Sequence, residues 1–84
     1  MPQLQVGMHC DGDAWEPEHL TLVEDVGFDV LTTGEHIVFH RPILEAVSVL
    51  GYAAAVTKRI KLAPATLILP LRHPTMVAKQ FASL

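Results

Sequence analysis

The chain has 84 residues, 50% of them hydrophobic, with a mean hydropathy of +0.33, 18% charged side chains and a formal net charge of −3. That apolar content excludes a disordered segment, and the acidic balance offers no electrostatic footprint for nucleic acid. The single cysteine, Cys10, excludes an intrachain disulfide, and no apolar run approaches the ~20 residues that cross a bilayer.

The N-terminus, Met1 to Gln5, has neither the basic flank nor the long apolar stretch of a secretory signal. A reducing, cytoplasmic setting is therefore expected. Leu4-Gln5-Val6-Gly7-Met8 alternates apolar and polar residues and predicts a first strand. His9 to Asp13 carries Gly and Asp breakers and predicts a loop. A helix is expected to start near Trp15-Glu16-Pro17-Glu18, because proline suits the first turn and acidic side chains suit the positive end of the dipole. Leu20, Leu22 and Val23 supply its buried face, and Gly27 stops it.

Phe28 to Thr33 is rich in β-formers and predicts a second strand, ending at Gly34-Glu35-His36. Ile37 to Pro42 is a connection. Ile43 is expected to open a second helix, with Ile43, Leu44, Val47, Leu50, Gly51, Ala54 and Ala55 on one side and Lys58-Arg59 in its last turn. Ile60 to Leu69 is nearly all apolar and predicts a third strand covered on both faces. Pro64 within it marks a bulge, an edge or a distortion, because it lacks a ladder donor. Pro74 opens a last helix with Met76, Val77, Phe81 and Leu84 as its apolar set.

The order β-α-β-α-β-α predicts an α/β fold with parallel strands and right-handed crossovers. Three such units cannot close a barrel, which needs about eight strands and typically ~250 residues. The chain is therefore expected to be one piece of a larger layered structure, with open sheet edges and exposed apolar surface.

In parallel α/β folds, sites gather at the carboxyl ends of the strands. Those ends are Met8-His9-Cys10, Gly34-Glu35-His36 and Leu69-Pro70-Leu71. Glu35 and His36 are adjacent and titratable, and an imidazole with a reference pKa of about 6.5 can act as a general acid or base. Elsewhere the pair would read as solvated loop residues; its place after a strand favours function. His36 and His40 have the i, i+4 spacing of a helical metal pair, but Ile37-Val38-Phe39 and Pro42 argue against a helix there. No metal site is expected. His19 reads as a surface residue, His73 as a cap, and Cys10 and Trp15 as packing residues. No GxGxxG or GxxxxGK[ST] pattern occurs, so a cofactor phosphate must be held by other means.

Three motifs carry a family resemblance from about Val23 onward: Gly27-Phe28-Asp29 leading into Gly34-Glu35-His36, Ala53 to Leu62, and Leu67-Ile68-Leu69-Pro70-Leu71-Arg72-His73-Pro74 followed by Ala78-Lys79-Gln80. Together they resemble the bacterial luciferase-like monooxygenases, a group that includes deazaflavin-dependent reductases. The resemblance implies a (β/α)8 TIM barrel, with residues 1–84 as one partial domain supplying its first three βα units. It further implies an oxidoreductase or monooxygenase that uses FMN or a deazaflavin coenzyme on a small-molecule substrate, inactive as this segment alone. His36 matches the histidine at the end of the family's second strand that acts in proton transfer or lies beside the reactive isoalloxazine ring. Glu35, Ala65, Thr66 and Leu69 match cofactor-side positions, with Ala65-Thr66 at a place where many members have a non-prolyl cis peptide. Ala63-Pro64 departs from the Gly-Thr common in the family, and Thr32-Thr33 from its more apolar residues. The rival readings are a non-catalytic barrel remnant that associates through Ala53 to Ala55 or its sheet edges, self-association included, and a metal-dependent barrel hydrolase using His36 and His40. Neither a nucleic acid nor a membrane is expected as a partner.

Overall fold

A computed structural model describes residues 3–11 and 15–84. Gly12 and Asp13 of the expected first loop, and Met1-Pro2 of the N-terminus, lie outside the described residues. Strand β1 is Gly7–His9. It starts later than the alternation from Leu4 predicts. The Asp29 carboxylate takes the Val6 N–H at 2.9 Å, while Asp29 N–H donates to the Val6 carbonyl at 2.8 Å. Ladder pairing begins only beyond that contact, and Leu4 stays exposed.

Helix α1 is Pro17–Asp25, with Pro17 in its first turn. Gly27 ends it at φ +104°, a left-handed conformation that side chains with a Cβ resist. Leu20 and Val23 are buried as expected. Leu22 is not; the third buried residue of α1 is Glu24. Strand β2 is Val30–Thr33, shorter than Phe28 to Thr33 because Asp29 is engaged with Val6 and Lys61.

Helix α2 is Ala46–Val56. It opens three residues after Ile43 because Glu45 caps it, accepting from Val47 N–H at 3.2 Å and Ser48 N–H at 2.7 Å. The cap also fixes which face is inward. Ala46, Val49, Leu50 and Ala53 are buried, at the i, i+3, i+4, i+7 spacing. Of the face expected from Ile43, Leu50 alone is fully buried, while Leu44 and Ala55 are exposed. Lys58 and Arg59 lie beyond the helix end, not in its last turn.

Strand β3 is Lys61–Pro64, less than half the length that Ile60 to Leu69 predicts. The Ala65–Thr66 peptide after it is cis, and the chain then makes a 3-10 turn over Leu69–Leu71. Helix α3 is Pro74–Ser83; the His73 ring caps it by accepting from Thr75 N–H at 3.2 Å.

The sheet is parallel, in the order β1-β2-β3. Its register puts Met8, Leu31 and Leu62 side by side on one face, and His9, Thr32 and Ala63 side by side on the other. The first face carries the core: Leu31 joins Cys10, Trp15, Leu20, Val23, Val49, Ala53 and Ile60 in one cluster, so α1 and α2 pack there. Burying a leucine such as Leu31 contributes roughly 1.5–3 kcal/mol. The second face carries no helix among the described residues. β3 is therefore not covered on both sides: Lys61 is exposed and Leu62, Ala63 and Pro64 are half-buried. Pro64 fits this edge. Lys61 and Ala65 N–H donate to Asp29 and Thr33 carbonyls, so alternate residues face β2 and Pro64 faces the free side. Among the described residues no helix is long and apolar enough to cross a membrane.

Candidate functional site

The three strands run the same way, so their carboxyl ends meet. Cys10 N–H donates to the Thr32 carbonyl at 2.8 Å, and Ala65 N–H to the Thr33 carbonyl at 2.7 Å. Gly34 lies between the two neighbours. A Cβ built on it would sit 3.6 Å from the Ala65 carbonyl oxygen and 3.7 Å from the His9 ring. His9 is held in turn by Thr32, whose Oγ1 is 3.0 Å from Nδ1. His9, Gly34 and Ala65 thus form one row across the sheet end.

The loop after β2 arches over this row. His36 is exposed and stacks on Phe39, with ring centroids 4.2 Å apart and planes 19° from parallel. The His40 ring approaches the same phenyl ring at 4.0 Å. Arg41 pairs with Asp11 at 2.8 Å and ties this loop to the one after β1. A small cavity of about 70 Å³ lies among His9, Asp11, Gly34, His36, Phe39 and Ile43. Among the described residues no cluster of three or more His, Cys, Asp or Glu is placed to hold a metal ion.

Glu35 behaves differently from its neighbour His36. Its side chain is only 4% exposed. One carboxylate oxygen accepts from Ile68 N–H at 2.6 Å, and the other pairs with the Arg72 guanidinium. The same Arg72 nitrogen reaches Glu45 at 2.5 Å. Burial raises the pKa of the Glu45 carboxyl, but hydrogen bonds from Arg72, Ser48 and Val47 outweigh that and bring it down to about 2. Arg72 is pushed above its ordinary value by Glu35 first and Glu45 second.

The expected site residues therefore divide in two. His36, Ala65 and Thr66 lie at the same end of the sheet and are exposed. Leu69, also exposed, opens the 3-10 turn just beyond. Glu35 shares that end, with both oxygens already engaged by protein groups. Sequence reasoning assigned no role to Arg72, Glu45 or Glu24. An acid just before a helical run could have shown Glu45 as a cap. Arg72 had no local signal, because its partners are 37 and 27 residues away.

Chemically, the row offers an imidazole open to solvent, a glycine, and two small exposed side chains beside bare backbone. Ala65 and Thr66 are open to solvent, whereas Gly34 shares the small cavity with His36 and Phe39. A family model described as luciferase-like monooxygenase matches residues 15–84. No curated protein and no solved structure matches the chain.

Proposed function

The chain belongs to the luciferase-like monooxygenase family, and we propose that it supplies the first three βα units of a (β/α)8 barrel that works as a flavin- or deazaflavin-dependent oxidoreductase. The observation that carries this reading is the row His9, Gly34, Ala65 at the carboxyl ends of three consecutive parallel strands, with His36 above it. That is the end at which parallel barrels hold their sites. The unhelical second face of the sheet fits strands that line the inside of a barrel.

Ala65, Thr66 and Leu69 would receive the face of an FMN or deazaflavin ring. Bound there, the coenzyme supplies the redox chemistry: hydride exchange with a small-molecule substrate, or activation of oxygen by its reduced form. His36 holds or releases a proton at an imidazole nitrogen beside the reacting atoms. Glu35 serves the same site from behind, through the segment its carboxylate holds.

The test completes residues 1–84 with five further βα units from a family barrel and measures turnover. His36→Ala should slow it roughly 10²-fold, in the range general acid–base catalysis contributes, with the circular dichroism unchanged. An unaltered rate removes His36 from this role. The 84-residue chain alone should show no turnover with either coenzyme; turnover would contradict an incomplete site.

A further inference from the structure

We infer that Arg72 is a positioning residue, a clamp that fixes the backbone from Ala65 to Leu69 against the end of β2 by bridging Glu35 and Glu45. The inference rests on the reading above for why that backbone matters, but its geometry stands alone. Three separate segments converge on one guanidinium: the loop after β2 through Glu35, the first turn of α2 through Glu45, and the approach to α3 that carries Arg72 itself. Glu35 then passes the constraint on, because its second oxygen accepts the Ile68 N–H at 2.6 Å.

The placement is what a positioning role requires. Ile68 lies two residues beyond Thr66 and one before Leu69, so the amide held by Glu35 sits inside the segment proposed to face the coenzyme ring. Arg72 itself is withdrawn, with its side chain 18% exposed. Nothing else among the described hydrogen bonds ties residues 66–68 to β2 or to the loop after it; Ala65 N–H to the Thr33 carbonyl is the last ladder contact. Without the clamp, that stretch would be held at its ends alone. A neutral replacement would also leave the buried Glu35 carboxylate without its counter-charge, so it would move toward water and release Ile68. Arginine suits the task because its guanidinium remains charged at any working pH.

The test compares the 84-residue chain with its Arg72→Met and Arg72→Lys variants by amide hydrogen exchange and by NMR titration of the Glu45 carboxyl. In Arg72→Met, exchange at Ile68 should accelerate at least tenfold more than at Cys10 and Lys61, whose amides donate within the sheet. The Glu45 midpoint should rise from about 2 toward the ordinary carboxylate range. Arg72→Lys should restore part of both signals, because the charge returns on a shorter side chain. Uniform acceleration at all three amides would make Arg72 a general stabiliser and overturn the proposal, as would an unmoved Glu45 midpoint. If Arg72→Met does not fold, Arg72→Gln, which removes the charge and keeps a polar head, decides: protection of Ile68 equal to the unmodified chain overturns the clamp, and a selective loss upholds it. Failure of either coenzyme to bind a barrel-completed protein would instead defeat the functional reading and leave these exchange results standing.

Discussion

Two buried carboxylates hold opposite ends of the sheet, and they are held in different ways. Glu24, on α1, lies at the end where β3 begins. It accepts from the backbone amides of Lys58, Arg59 and Ile60, at 2.9, 2.5 and 2.8 Å for one oxygen. The Arg59 and Ile60 amides lower its pKa most, Lys58 adds to them, and burial opposes them. Glu35, where β2 ends, shares its charge with a guanidinium that a second, half-exposed carboxylate also claims. Backbone amides cannot leave without unwinding the turn that carries them; a side-chain guanidinium can rotate away. The contrast matches a general division in parallel α/β proteins, with stability invested at the amino ends of the strands and chemistry at the carboxyl ends.

The comparison breaks most easily at Glu24. Glu24→Ala should cost on the order of 3 kcal/mol in urea unfolding, because it takes the shared acceptor from three amides, one of them on the buried Ile60. In a chain this small, that is a large share of the whole stability. A cost below about 1 kcal/mol would mean the amides find other partners, and the two ends would no longer differ as described.

Acid sharpens the comparison. Both Glu24 and Glu45 have lowered carboxyl pKa values, Glu45 to about 2. A group with a lowered folded pKa contributes stability that is complete above its ordinary value, here 4.5, and fades as pH falls through the folded one. The unfolding midpoint should therefore drop as pH falls from about 4.5 toward about 2, over the span set by these shifts. Glu24→Ala and Glu45→Ala should each remove part of that acid dependence, because both carboxyl pKa values are lowered in the fold. An acid dependence unchanged in either variant would mean that its carboxylate is not held as described. The smallest effect belongs to His36. Its ring is exposed, so His36→Ala should change stability by no more than about 0.5 kcal/mol, even though turnover of the completed protein falls steeply.

The arrangement of elements was legible because it rests on local chemistry. Pro17 could only open a helix and Gly27 could end it, and both do so. Leu20 and Val23 mark the inward side of α1 by spacing alone. The end of β2 was legible too, since Gly34-Glu35-His36 follows a run of β-formers. Strand lengths were less so, because pairing stops where a neighbour stops, and Asp29 and Pro64 are read only against their partners. The buried face of α2 was misjudged for the same reason: capping by Glu45 decides the first turn, and a start three residues earlier turns the whole stripe. Glu24 and Arg72 were invisible to any local reading. Their partners are more than 25 residues distant, and a charged residue with such a partner looks in sequence like any solvated one.

The most direct measurement is an NMR titration of residues 1–84, completed with five further βα units, with FMN and with a deazaflavin coenzyme, read residue by residue. In the barrel-completed protein, the account predicts that His9, Gly34, His36, Ala65 and Thr66 shift together while Lys58, Arg59 and Ile60 stay in place. Shifts centred on Lys58 to Ile60, or none along the His9, Gly34 and Ala65 row at saturating coenzyme, would contradict it.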